Sequence, residues 1–187
     1  MCSSDLYKGD SFADSAVNCL EKAREMSFNV ADIPEYLGMA YFSIGDYRSS
    51  VAAFSEALNP RDGEETGSAN RNPGLLLLRM AESYFALHEY EQARAYLLRC
   101  IEVSPDSNIL LQAKLLLAHC LKNSGDIAGA VKQLTEILAE SGDNAEVHFQ
   151  LGELYAQMGD NARARAEWRQ AVRADPAHAG ARMWLSL

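Results

Sequence analysis

Small and large apolar residues recur along this chain at fixed offsets. Take as register a small residue within each helix-period apolar run: Gly38, Ala81, Ala118 and Gly152. These marks are 43, 37 and 34 residues apart, so the last spacing is the bare repeat and the others carry insertions of 9 and 3 residues. Three residues past the mark stand Tyr41, Tyr84, Leu121 and Tyr155. Twelve past it stand the small residues Ser50, Ala93, Ala130 and Ala164. Sixteen past it come Phe54, Leu97, Leu134 and Trp168, and nineteen past it Ala57, Cys100, Ile137 and Ala171. Apolar residues returning every three or four positions indicate amphipathic helices. A period near 34 residues indicates an array of helical hairpins.

The turns fit that reading. Seven past the mark stand Gly45, His88, Gly125 and Gly159, followed by Asp46, Glu89, Asp126 and Asp160. Glycine tolerates the left-handed conformation that stops a helix, and Asp accepts from the free N–H groups that start the next. Pro60, Pro105 and Pro176 then close three of the second helices, because proline cannot continue one. The pattern predicts helix pairs at 32–44 and 47–59, 75–87 and 90–103, 108–123 and 127–140, and 145–158 and 161–174. Small residues at the mark and twelve past it let paired helices approach closely. The large residues fill the space between hairpins, so Tyr41, Phe54, Tyr84, Leu97, Leu134, Tyr155 and Trp168 are the predicted core.

This constellation resembles the tetratricopeptide repeat (TPR) over roughly residues 31–178. The third copy departs from the pattern, with Leu121 for the usual Tyr, Lys114 at an early aromatic position and Ser141-Gly142 for the closing Pro. At that early position the other copies have Pro34, Leu77 and His148. The resemblance implies an all-α fold, an α-solenoid in which antiparallel helix pairs form a right-handed superhelix. It divides the chain into an irregular start (1–10), the second helix of an incomplete repeat (11–30) and a first repeat (31–60). An inserted loop (61–73) precedes repeats at 74–107, 108–144 and 145–178, and a further repeat begins at 179–187. Residues 2–6, Cys-Ser-Ser-Asp-Leu, resemble a translated sequencing adapter. With half-repeats at both ends, the expectation is a piece of a longer protein. Met1 is accordingly not taken as an initiator, and no targeting signal is read from the N terminus.

Composition narrows the function. The net charge is −9, which argues against nucleic acid, whose binding needs clustered Lys and Arg. The densest basic run, residues 163–173, reads as the solvated face of a helix whose other face is Ala164, Trp168 and Ala171. No apolar run approaches the roughly 18 residues of a membrane span. The cysteines, Cys2, Cys19, Cys100 and Cys120, form no C-x-x-C pair and read as buried free thiols. No catalytic motif is present, and no enzyme activity or cofactor is expected. His88, His119, His148 and His178 occupy different phases of the repeat, so no metal site is expected either.

In TPR arrays the first helices line a groove that receives a peptide or helix. The phases three before, one after and four or five after the mark nominate Glu35, Met39, Phe42 and Ser43, then Leu78, Glu82, Phe85 and Ala86. They continue with Leu115, His119, Lys122 and Asn123, then Phe149, Glu153, Ala156 and Gln157. This surface is apolar and aromatic, edged with carboxylates. Glu35 and Met39 stand where a clamp for an acidic chaperone tail would want Lys and Asn. The resemblance therefore implies a non-catalytic interaction scaffold for a neutral or basic protein or peptide with apolar anchors. The alternative is a solenoid spacer or self-association segment of a larger protein, a larger enzyme or regulator included, with a second copy of the chain as partner.

Overall fold

The computed structural model describes residues 9–26, 32–59 and 72–186. Pro60, most of the inserted loop and Cys2 lie outside them. Ten helices and no strand occur among the described residues. They are α1 (Gly9–Glu25), α2 (Ile33–Ser43), α3 (Tyr47–Leu58), α4 (Pro73–Ala86) and α5 (Tyr90–Val103). α6 (Ser107–Asn123), α7 (Ile127–Ser141), α8 (Ala145–Gln157), α9 (Asn161–Ala174) and α10 (Ala179–Leu185) follow. The eight helices read from the pattern are all present, with every end within two residues of its expected place. The architecture is an α-solenoid of helical hairpins, and the chain divides into two compact units at residues 109/110.

Every hairpin turn uses one stop signal. In the first, Gly45 N–H bonds to Phe42 O at 3.1 Å and Asp46 N–H to Tyr41 O at 3.0 Å. This is the paired closure of a helix ending on a left-handed residue. Gly45, Gly125 and Gly159 have φ of 81°, 89° and 81°, and His88 takes the same role at φ 61° without glycine's freedom. The next helix starts where Asp46, Asp126 and Asp160 accept from the N–H groups of Ser49, Gly129 and Arg163. Where the third repeat lacks its proline, Gly142 at φ 79° follows α7 instead.

In the first unit α1 packs on α2, α2 on α3, α3 on α4 and α4 on α5. Leu20, Ala23 and Tyr41 cover Ile33, Leu37 and Ala53. Phe54, Ala57, Leu76 and Met80 form a second cluster, flanked by Met39, Tyr84 and Tyr96. In the second unit Ala118, Leu134, Ile137, Leu151 and Leu154 join α6, α7 and α8. Trp168, Ala164 and Ala171 of α9 pack with Ala181 of α10.

The mark residue and the residue sixteen past it meet inside each of the outermost of these hairpins. A Cβ at Gly38 would lie 2.6 Å from the Phe54 ring, and one at Gly152 2.3 Å from Trp168 Nε1. Where the later residue is Leu97 or Leu134, the mark is Ala81 or Ala118. Aromatic rings thus stand over glycine and leucines over alanine, which is volume matching within a close-packed interior.

Three of the expected core residues are only half-buried. Tyr41, Tyr84 and Tyr155 lie at the core's edge, because a phenol oxygen needs a polar partner or water. Tyr41 Oη donates to Glu21, and that bond, with burial, raises its pKa. Tyr84 stacks on Tyr96 at 5.3 Å between centroids, with its pKa raised mainly by burial. Tyr155 lies under the Arg163 guanidinium. Cysteine burial also divides. Cys100 and Cys120 are buried, whereas Cys19 is exposed on α1. Burial pushes the Cys100 thiol up, and the thiol donates to Gly74 O at 3.1 Å.

Candidate functional site

In the second unit the first helices α6 and α8 enclose a cleft of about 80 Å³. Ala118, Leu134 and Leu154, each at most 2% exposed, give it an apolar floor. His119 and Lys122 of α6 and Glu146, Gln150 and Glu153 of α8 form its polar wall. Glu146, Gln150 and Glu153 are spaced four and three apart, so they share one helical face. Lys122 Nζ reaches Glu153 Oε2 at 3.3 Å, with both side chains over a third exposed, a geometry worth at most about 1 kcal/mol.

Glu146 connects the cleft to α10. Its Oε1 accepts from Gln150 Nε2 at 2.9 Å, and its Oε2 lies 3.3 Å from His178 Nε2. His178 also caps α10, with Nδ1 accepting from Ala181 N–H at 3.1 Å. An accepting Nδ1 puts the ring proton on Nε2, which therefore donates to Glu146. The buried histidine is His148, whose Nδ1 lies 2.7 Å from Glu167 Oε2 and ties α8 to α9. Lys114 likewise pairs with Glu140, tying α6 to α7. Among the described residues no group of three or more His, Cys, Asp or Glu could hold a metal ion.

The nominated residues separate by environment. His119 and Glu153 both line the cleft. Leu115 packs against the cluster containing Leu134, and Phe149 against that of Trp168. The Phe149 ring lies 4.9 Å from that of His178 and closes over Gly180, so α10 covers it. In the first unit Glu35, Met39, Phe42, Glu82 and Phe85 are all half-buried on α2 and α4. Glu82 accepts from Arg79 at 2.7 Å. Phe42 and Phe85 meet Tyr47 and Tyr90 edge to face, at 5.3 and 5.5 Å.

Leu78 is a correction: it is fully buried and presents nothing to a partner. α4 begins with an unbroken apolar run in which Gly74, Leu76, Leu77 and Leu78 are all buried. A helix apolar on all sides is sunk on all sides, so phase alone misplaces the residue. The pattern also passed over Glu146 and Gln150. Their signal was the polar stripe Glu146-Gln150-Glu153 on an otherwise apolar helix.

Two models described as tetratricopeptide repeat match the chain, at residues 76–107 and 121–186. Those residues hold most of the α4–α5 hairpin and the helices α7 to α10, and together they are just over half of the sequence. The chain is a tetratricopeptide-repeat protein. Its fold is shared with solved structures of low sequence identity. YrrB, described as a TPR protein with an unusual peptide-binding site, is 21% identical, with a TM-score of 0.72 over 95% of this chain and 85% of its own. MamA from Desulfovibrio magneticus is 16% identical, with a TM-score of 0.71 over 89% and 88%. The C-terminal part of a TPR protein from Cytophaga hutchinsonii is 12% identical, with a TM-score of 0.77 over 97% and 66%. No curated protein matches the chain. The TPR fold is that of a protein–protein interaction scaffold, and among the described residues no helix is long and apolar enough to cross a membrane.

Proposed function

We propose that this TPR protein binds a peptide or helix with apolar anchors, neutral or basic in charge, on the faces of its first helices. The observation that carries the reading is the cleft between α6 and α8, an apolar floor inside a polar wall that contains His119 and Glu153. The half-buried rings Phe42 and Phe85 supply apolar contact area on α2 and α4. Acidic residues share these faces, including Glu35, Glu82 and Glu153, and favour a basic over an acidic partner. A relative of the same fold is described by its peptide-binding site. Helix-in-groove recognition needs only such a preformed surface.

The test is selection of binders from a random peptide library by the full chain, repeated with Phe42→Ala/Phe85→Ala. Each ring loses an edge contact with its tyrosine, about 0.5–1.5 kcal/mol per pair, so the double variant should melt lower but remain helical. Selected peptides should bind it at least about tenfold more weakly, the effect of losing one good anchor contact. Peptides that bind wild type and variant equally would remove these rings from the site. A library yielding no binder, with light scattering showing a concentration-dependent dimer, would transfer the function to self-association.

A further inference from the structure

We infer that the cleft between α6 and α8 is a subsite for one basic side chain of the partner, an arginine in preference to a lysine. This deepens the peptide-binding reading and rests on it only for the partner's being a peptide. The volume of about 80 Å³ holds a few waters or the head of one side chain, and no larger ligand. Its floor of Ala118, Leu134 and Leu154 suits an aliphatic stem, which Lys and Arg bury while keeping their charge at the polar end.

The wall supplies the complementary charge. Glu153 and Glu146 stand two turns apart on one face of α8, about 10 Å along the axis, with Gln150 between them. An ionised carboxylate offers about four acceptor sites. Glu153 receives one long contact from Lys122, and Glu146 receives His178 and Gln150. Among the described residues Lys122 is the only lysine or arginine lining the cleft, 3.3 Å from its partner. A guanidinium brings a planar fork that matches a carboxylate with two bonds, whereas the Lys122 ammonium is a point charge. An arriving arginine therefore displaces Lys122 from Glu153, and Lys122 acts as an internal competitor.

The experiment is an NMR titration of the ¹⁵N-labelled full chain with N-acetyl-arginine amide, with the neutral isostere N-acetyl-citrulline amide as control. Arginine should shift resonances within residues 118–122 and 146–154, and citrulline should not. Glu153→Gln should weaken the response about tenfold, as expected for one lost charge-assisted contact, and Glu146→Gln, farther along the face, should weaken it less, through the lost charge alone. Lys122→Met should strengthen it severalfold by freeing Glu153. Glu102→Gln, at an exposed position on α5, should leave it unchanged and so exclude simple attraction by the net charge. Citrulline binding as well as arginine, shifts mapping elsewhere, or Lys122→Met weakening the response would each overturn the subsite. Library peptides that bind the chain without Arg or Lys enrichment would overturn it while sparing peptide binding. Arginine shifts at the cleft in a chain that selects no peptide would uphold the subsite and remove the peptide.

Discussion

Gly152→Ala should destabilise this protein, although alanine is the better helix former. The new Cβ would lie 2.3 Å from Trp168 Nε1 and 2.4 Å from Cδ1. Those atoms belong to a rigid indole that is 5% exposed and stacked on Trp184 at 5.3 Å. Overpacking of this kind costs about 1–3 kcal/mol, and contacts this short argue for the upper end. Helix propensity returns about 1 kcal/mol for replacing glycine inside α8. The net is a loss of about 1–2 kcal/mol, or a melting point lowered by several degrees for a chain of this size. The sign should invert in a Trp168→Leu background, because Ala81 with Leu97 and Ala118 with Leu134 are alanine–leucine pairs already present in the chain. There Gly152→Ala should raise stability by about 1 kcal/mol, a coupling of about 2–3 kcal/mol between neighbours. The assay is thermal unfolding of the four proteins, followed by far-UV circular dichroism. Trp184 fluorescence, retained in every variant, supplies a second signal from this unit. Gly152→Ala neutral in the wild type, or of one sign in both backgrounds, would refute the volume-matching argument.

His88→Gly should raise the melting temperature. The residue sits at φ 61°, where a side chain costs about 1–2 kcal/mol, and its contact with Tyr90 Oη at 2.9 Å is exposed and worth less. A lowered melting point would show that this contact outweighs the strain. The Tyr41–Glu21 bond should add an alkaline component to stability. Because the folded pKa of Tyr41 lies above its ordinary value of 10.0, that stability is present below pH 10 and is lost as pH rises through the folded pKa. Tyr41→Phe should flatten the decline in melting temperature above pH 10, and an unchanged slope would count against the bond.

The fold was legible because its signals are local and repeated. Glycine before aspartate at three turns specifies both a helix stop and a helix start. The small residues at Gly38, Ala81, Ala118 and Gly152 set the register of the hairpins. The site was less legible because exposure at a given phase depends on neighbours. Leu78 shares its phase with Glu35, yet the apolar run beginning at Leu75 buries it. Phe149 shares it too, and its ring is covered by α10, which the hairpin pattern does not describe. The tyrosines three past the mark read as core from their size, but their hydroxyls hold them at its margin. Glu146 and Gln150 stand in the sequence as a polar stripe, but what they face is set by α6 across the cleft.

The match of Gly38 to Phe54 and of Gly152 to Trp168 is made within single hairpins. Each of these two hairpins therefore carries its own key and lock, even where the ring also packs on the next helix, as Phe54 does on Leu76 and Met80. Residues on the open faces of the first helices are then released from the task of holding the fold. Glu153, whose partner Lys122 is likewise partly exposed, lies outside that fit. A chain assembled this way can acquire a new binding specificity one hairpin at a time, keeping the same frame throughout.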